Sequence, residues 1–122
     1  EGVEHLRAKE GDAWLEKFAD FYMSVRRTCE LGESCALQSI TPEVARADHD
    51  TKTAYEAEML TVVEAVAEGL RRGTLPERRK SAWAILALLS GGVTLARSTE
   101  DAKVGTQIAR AVKTAVLVVA GD

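Results

Sequence analysis

Few side chains in this 122-residue sequence are of the types that do chemistry, and their spacing is unhelpful to most reactions. His49 lies between Asp48 and Asp50, and an imidazole flanked by two carboxylates could hold a metal. No carboxylate-x-x-His pair accompanies it to bring ligands onto one helix face, so a solvated helix start with Asp48 or Asp50 as cap is the simpler reading. Cys29 and Cys35 are five residues apart, which fits neither the C-x-x-C redox motif nor the usual zinc spacing. Cys35 reads as a small buried apolar residue. The only other histidine, His5, sits in a polar terminus. No nucleophile is paired in sequence with a base. Neither a catalytic residue, a metal nor a cofactor is expected, and the chain does not read as an enzyme.

What remains is chemistry of binding. Trp14, Leu15, Phe18, Phe21, Tyr22 and Val25 recur at the spacing of one helix face running to about Arg26, after an N-cap signal at Gly11-Asp12. Core packing explains such a face most simply. A ligand pocket wall, with the Tyr22 hydroxyl as a polar group, is the sharper alternative. Arg78-Arg79-Lys80 could touch nucleic acid, but three basic residues on a domain of net charge −3 are weak grounds for that. Glutamates of the preceding helix are the expected compensation.

The elements that must position these residues are helical throughout. Scarce Pro, high mixed charge and abundant Ala, Leu, Val and Glu give an all-α composition, and the length suits one domain. Residues 27–34 read as a loop, and residues 35–40 start a short helix that kinks or restarts near Thr41-Pro42. Tyr55, Met59, Val62, Val63, Val66 and Leu70 define a long amphipathic helix with Glu56, Glu64 and Glu68 on its other face, ended by Arg71-Arg72-Gly73. Thr74-Leu75-Pro76-Glu77 opens the next helix. Ser98-Thr99-Glu100-Asp101 stops that helix and starts the last one, whose face is Val104, Ile108, Ala111, Val112, Ala115, Val116 and Val119.

The helix between those signals is the unusual one. No charge interrupts Ser81 to Ala96, and the segment is apolar nearly all round. Such a helix is buried on every side or lies in a membrane. Its length borders on the roughly 20 residues of a membrane span. Two serines, two central glycines and charged flanks argue instead for one face on its own subunit and another on a partner. Gly91 and Gly92 each cost a helix about 1 kcal/mol against Ala. Close approach of another backbone is what a missing Cβ gains. Because Val93 to Arg97 continue the pattern, an unbroken helix is expected.

Three stretches resemble the C-terminal ligand-binding and dimerisation domain of TetR/AcrR-type transcriptional regulators. Ala82 to Arg97 is similar to the family's next-to-last helix, with Leu89, Gly91, Gly92, Leu95, Ala96 and Arg97 filling its leucine-x-Gly-(Gly/Ala)-x-x-Leu-Ala-Arg ending. Cys35-Ala36-Leu37 and Glu43-Val44-Ala45-Arg46 resemble a Gly-Cys-x-Leu…Glu-Val-Ala-Arg segment, departing from it at Ser34. The order of helices also fits, over residues 12–120.

The resemblance implies a TetR-like helical domain over 1–122, with residues 1–10 the end of a linker helix. The operator-binding helix-turn-helix domain is absent from this chain, and a first residue other than Met points to sequence upstream. It implies a homodimer whose last two helices form a four-helix bundle with the partner; the cysteine usage itself makes a reducing cytoplasm the default, and no membrane partner is expected. Leu88, Gly91, Leu95, Ile108, Val112 and Val116 are the expected interface, although a Leu89-Gly92-Ala96 face competes. A small, largely apolar effector is expected among Trp14, Phe18, Tyr22, Leu37, Met59, Val63, Trp83 and Leu86. Operator DNA would be bound through the missing domain, not this segment. The rival readings are a small all-α enzyme and a purely structural dimerisation module.

Overall fold

The computed structural model describes residues 7–9, 11–21, 23, 45 and 47–121. All regular structure among them is helical. A 3-10 turn at Gly11–Ala13 leads into α1 (Trp14–Phe21), and α2 (His49–Gly69), α3 (Leu75–Arg97) and α4 (Ala102–Ala120) follow. The expected continuation of α1 to Arg26 and the short helix around Pro42 lie outside the described residues, as do Cys29 and Cys35. No described helix is long and apolar enough to cross a membrane.

The helix boundaries follow from local chemistry. Asp48 caps α2, its carboxylate accepting from the Thr51 N–H at 2.9 Å. That hydrogen bond favours the ionised form and holds the Asp48 pKa below its ordinary value. The residues around His49 thus make a helix start. Among the described residues no group of three or more His, Cys, Asp or Glu side chains could hold a metal. Thr74 and Glu77 form a reciprocal capping box on α3, with Pro76 in the first turn. Asp101 caps α4 by accepting from the Lys103 N–H, rather than Ser98 or Thr99, whose hydroxyls are the cap candidates the sequence offers before the acids. Gly121 closes α4 in the left-handed conformation.

The end of α2 departs from the sequence reading. The helix stops at Gly69 with Leu70 as an extended C-cap, before Arg71-Arg72-Gly73. Its last carbonyls are taken by side chains from elsewhere in the fold rather than by a glycine cap. Gly73, at φ +93°, serves the turn into α3 instead.

α3 runs unbroken through Gly91 and Gly92 and is the centre of the packing, lying against α2 on one flank and α4 on the other. α1 packs on α4. The core joins Leu15, Val63, Val66, Ile85, Leu86, Leu89, Val93 and Val116, all fully buried. Each such side chain contributes about 1.5–3 kcal/mol relative to exposure. Charge pairs fix the flanks. Arg79 meets both carboxylate oxygens of Glu64 across the α2–α3 seam, as the basic cluster required. Lys113 on α4 reaches Asp20 at 3.0 Å and Glu16 at 3.3 Å on α1.

Candidate functional site

Two surface features stand out: the outer face of the α3–α4 hairpin, and a cleft where the N-terminal segment meets the end of α2.

On α3, at about 3.6 residues per turn, Ala84, Leu88, Gly91 and Leu95 form one stripe. Ala84, Gly91 and Leu95 are exposed and Leu88 is half-buried. On α4 the matching stripe is Val104, Ile108, Ala111, Ala115 and Val118, with Ile108 and Ala115 half-buried. Leu95 is 60% and Val118 73% exposed, high for side chains of their size. Gly92 faces Val112 across the intrachain seam. Leu88 and Ile108 lie between that seam and the exposed residues, so the two stripes run side by side. Neither carries a charge.

Of the expected interface residues, Gly91 and Leu95 are on this outer face, and Leu88 and Ile108 are at its edge. Val112 and Val116 instead face inward, at 9% and 0% exposure, because α4 turns them onto Gly92 and the core. The face also includes Val104, which belonged to the periodic face of α4 but not to the expected interface, and Val118, which lay outside that periodic face. The rival Leu89-Gly92-Ala96 face is buried within the chain.

The expected ligand residues do not enclose a common space. Trp14, Met59, Val63 and Leu86 are buried together in the core, with Phe18 half-buried against it. The Trp14 and Phe18 rings stack obliquely, 6.1 Å between centroids. Trp83 stands apart at 44% exposure, on the α2 flank of α3. It lies one turn beyond Arg79, with Leu60 exposed one turn from Glu64. Tyr22 and Leu37 lie outside the described residues.

The open space is elsewhere. A cleft of about 480 Å³ lies between Arg7, Ala8, Gly11, Trp14 and Leu15, the 68–71 segment and Ala120. The Trp14 indole N–H donates to the Gly69 carbonyl at 3.1 Å. Arg7 Nη1 donates to the Ala65 carbonyl at 3.4 Å and sits 3.8 Å from Glu68. From the other side, Arg78 donates to the carbonyls of Ala67 and Leu70. Gly69 is what lets these groups close in: a Cβ there would lie 2.5 Å from the Trp14 ring and 2.9 Å from the Arg7 stem. Glycine periodicity held no hint of this site, since its parts come from opposite ends of the sequence. A shallower groove of about 260 Å³ separates α1 from α4 around Met23 and Lys113. The hydrogen bonds that Lys113 donates to Asp20 and then Glu16 raise its pKa above its ordinary value.

No family model, curated protein or solved structure matches this chain. Its function is therefore argued from the two surfaces themselves.

Proposed function

We propose that this chain is the effector-binding and dimerisation domain of a TetR/AcrR-like transcriptional regulator. In this reading two copies pair through the outer faces of their α3–α4 hairpins into a four-helix bundle. A small, largely apolar ligand then shifts the balance between two arrangements of the pair. That shift controls operator binding by a helix-turn-helix domain N-terminal to this segment, and cannot exceed the ligand's differential affinity for the two states. The observation that carries the reading is the uncharged outer stripe: Leu95, Val104 and Val118 exposed beside an open Gly91. A contiguous apolar patch on a helical hairpin marks an interaction surface, and a self-complementary one suits a two-fold dimer. Gly91, Leu95, Val104 and Val118 form the centre of the proposed interface, with Leu88 and Ile108 at its inner edge.

A purely structural dimerisation module is the second reading, favoured by the tight packing of Trp14, Met59, Val63 and Leu86 in one core. Thermal unfolding of the chain with a panel of small apolar compounds separates the two. A ligand at 100 times its Kd stabilises by about 2.7 kcal/mol, a shift of several degrees for a domain of this size. A saturable shift with the compound unchanged is the expected result. A flat response across the panel would leave the structural module, and conversion of a compound would make the chain an enzyme.

A further inference from the structure

The cleft at the end of α2 has an unbalanced hydrogen-bond inventory. Its carbonyls at Ala65, Ala67, Gly69 and Leu70 already accept from Arg7, Arg78 or Trp14. A guanidinium carries five N–H groups, and among the described residues Arg7 is engaged through Nη1, in a long hydrogen bond and a longer contact with Glu68. The Arg7 side chain is 31% exposed while that of Glu68 is 59% exposed, so the cation is the deeper of the two. Below it the floor is apolar: Trp14, Leu15, Leu70 and Ala120 are all buried. Arg71 lines the far rim.

A half-buried guanidinium at the edge of an apolar floor is matched by a carboxylate on a small ring. The carboxylate can take parallel N–H···O bonds from Arg7, and the ring can rest on the floor. About 480 Å³ is within the range of small-molecule sites. We propose that this cleft binds a small aromatic carboxylate, with Arg7 as its anion partner and Glu68 as the internal carboxylate that it displaces. The inference rests on the effector-binding reading and names the site and chemical class of the effector. It moves that site from the core, where most of the described candidate residues are packed, to the junction of Arg7, Ala8, Gly11, Trp14 and Leu15 with α2. An occupant touches both sides of the contact that Gly69 allows, so its binding and the seating of the N-terminal segment on α2 are linked.

The test is an NMR titration of the full chain with benzoate, benzamide and benzylamine, following the Trp14 indole N–H and the Gly69 amide. Benzoate is expected to shift both signals saturably, and the neutral and cationic analogues to bind at least about tenfold more weakly, the difference an ion-paired hydrogen bond makes. Arg7→Gln is expected to weaken benzoate by a similar factor. Glu68→Gln, which removes the competing carboxylate and leaves the fold's core untouched, is expected to tighten it. Equal binding of benzamide and benzoate, no effect of Arg7→Gln in a chain with unaltered circular dichroism, or weakening by Glu68→Gln would each overturn the proposal. A compound from the wider panel that stabilises the chain without moving either signal would overturn this site and leave the effector reading intact. Silence from benzoate and from the whole panel would remove both.

Discussion

Gly91 and Gly92 are neighbours in sequence and opposites in the fold. A Cβ on Gly92 would sit 2.6 Å from Val112 Cγ2 and 3.3 Å from the Met23 methyl, so this glycine is needed to bring α3 and α4 together. A Cβ on Gly91 would meet nothing within 4 Å. The chain's own packing explains the first glycine and gives no account of the second. The same division runs the length of the hairpin. Ile85, Leu89, Val93 and Val116 face a filled core, while Leu95, Val104 and Val118, no less apolar, face outward. Two apolar faces lie on one hairpin, and the chain itself covers only one of them, which is the basis of the proposed dimer.

The sharpest way to break this comparison is to truncate each face in turn. Leu89→Ala removes a fully buried side chain and is expected to cost about 2–5 kcal/mol, read by urea unfolding. Gly92→Ala comes next. The clash with Val112 should cost about 1–3 kcal/mol despite alanine's better helix propensity, and Val112→Ala should recover part of it. Leu95→Glu is expected to separate the proposed dimer while changing the stability of the folded subunit by no more than about 0.5 kcal/mol. In that separated background Gly91→Ala should stabilise by about 1 kcal/mol through helix propensity alone. Opposite signs at adjacent glycines would sharpen the division, and equal signs would erase it.

The smallest effect is electrostatic. The hydrogen bond from Arg79 holds the Glu64 pKa below its ordinary value. A carboxylate depressed in the folded state contributes stability above its unfolded pKa and loses it as pH falls through the folded one. Glu64→Gln should therefore flatten the acid side of the stability profile slightly and leave neutral pH nearly unchanged, the pair being solvent-exposed.

Sequence periodicity placed the long helices because α2, α3 and α4 are long enough for it to average over local exceptions, and capping chemistry marked the starts of α2 and α3 at Asp48 and Thr74, while the start of α4 was marked only within Ser98-Thr99-Glu100-Asp101. Periodicity did not show that Val112 and Val116 face the chain's own core. An apolar residue on a wide apolar arc gives an angle around the helix axis, but not which neighbour stands at that angle. The Gly91-Gly92 pair was ambiguous for the same reason, and only the Val112 contact divides it. The cleft at the end of α2 was illegible because Arg7, Trp14, Gly69 and Ala120 are far apart in sequence, and of these only Trp14 lay on a periodic face. That α2 ends at Gly69 rather than Gly73 has the same origin: Trp14 and Arg78 take the carbonyls that a local cap would have served.

Sedimentation equilibrium of the unmodified chain and of Leu95→Glu at micromolar concentrations tests the central claim most directly. The account predicts twice the chain mass for the first and the single-chain mass for the second, with the same helical circular dichroism for both. A well-folded unmodified chain that stays at single-chain mass across the range would contradict it.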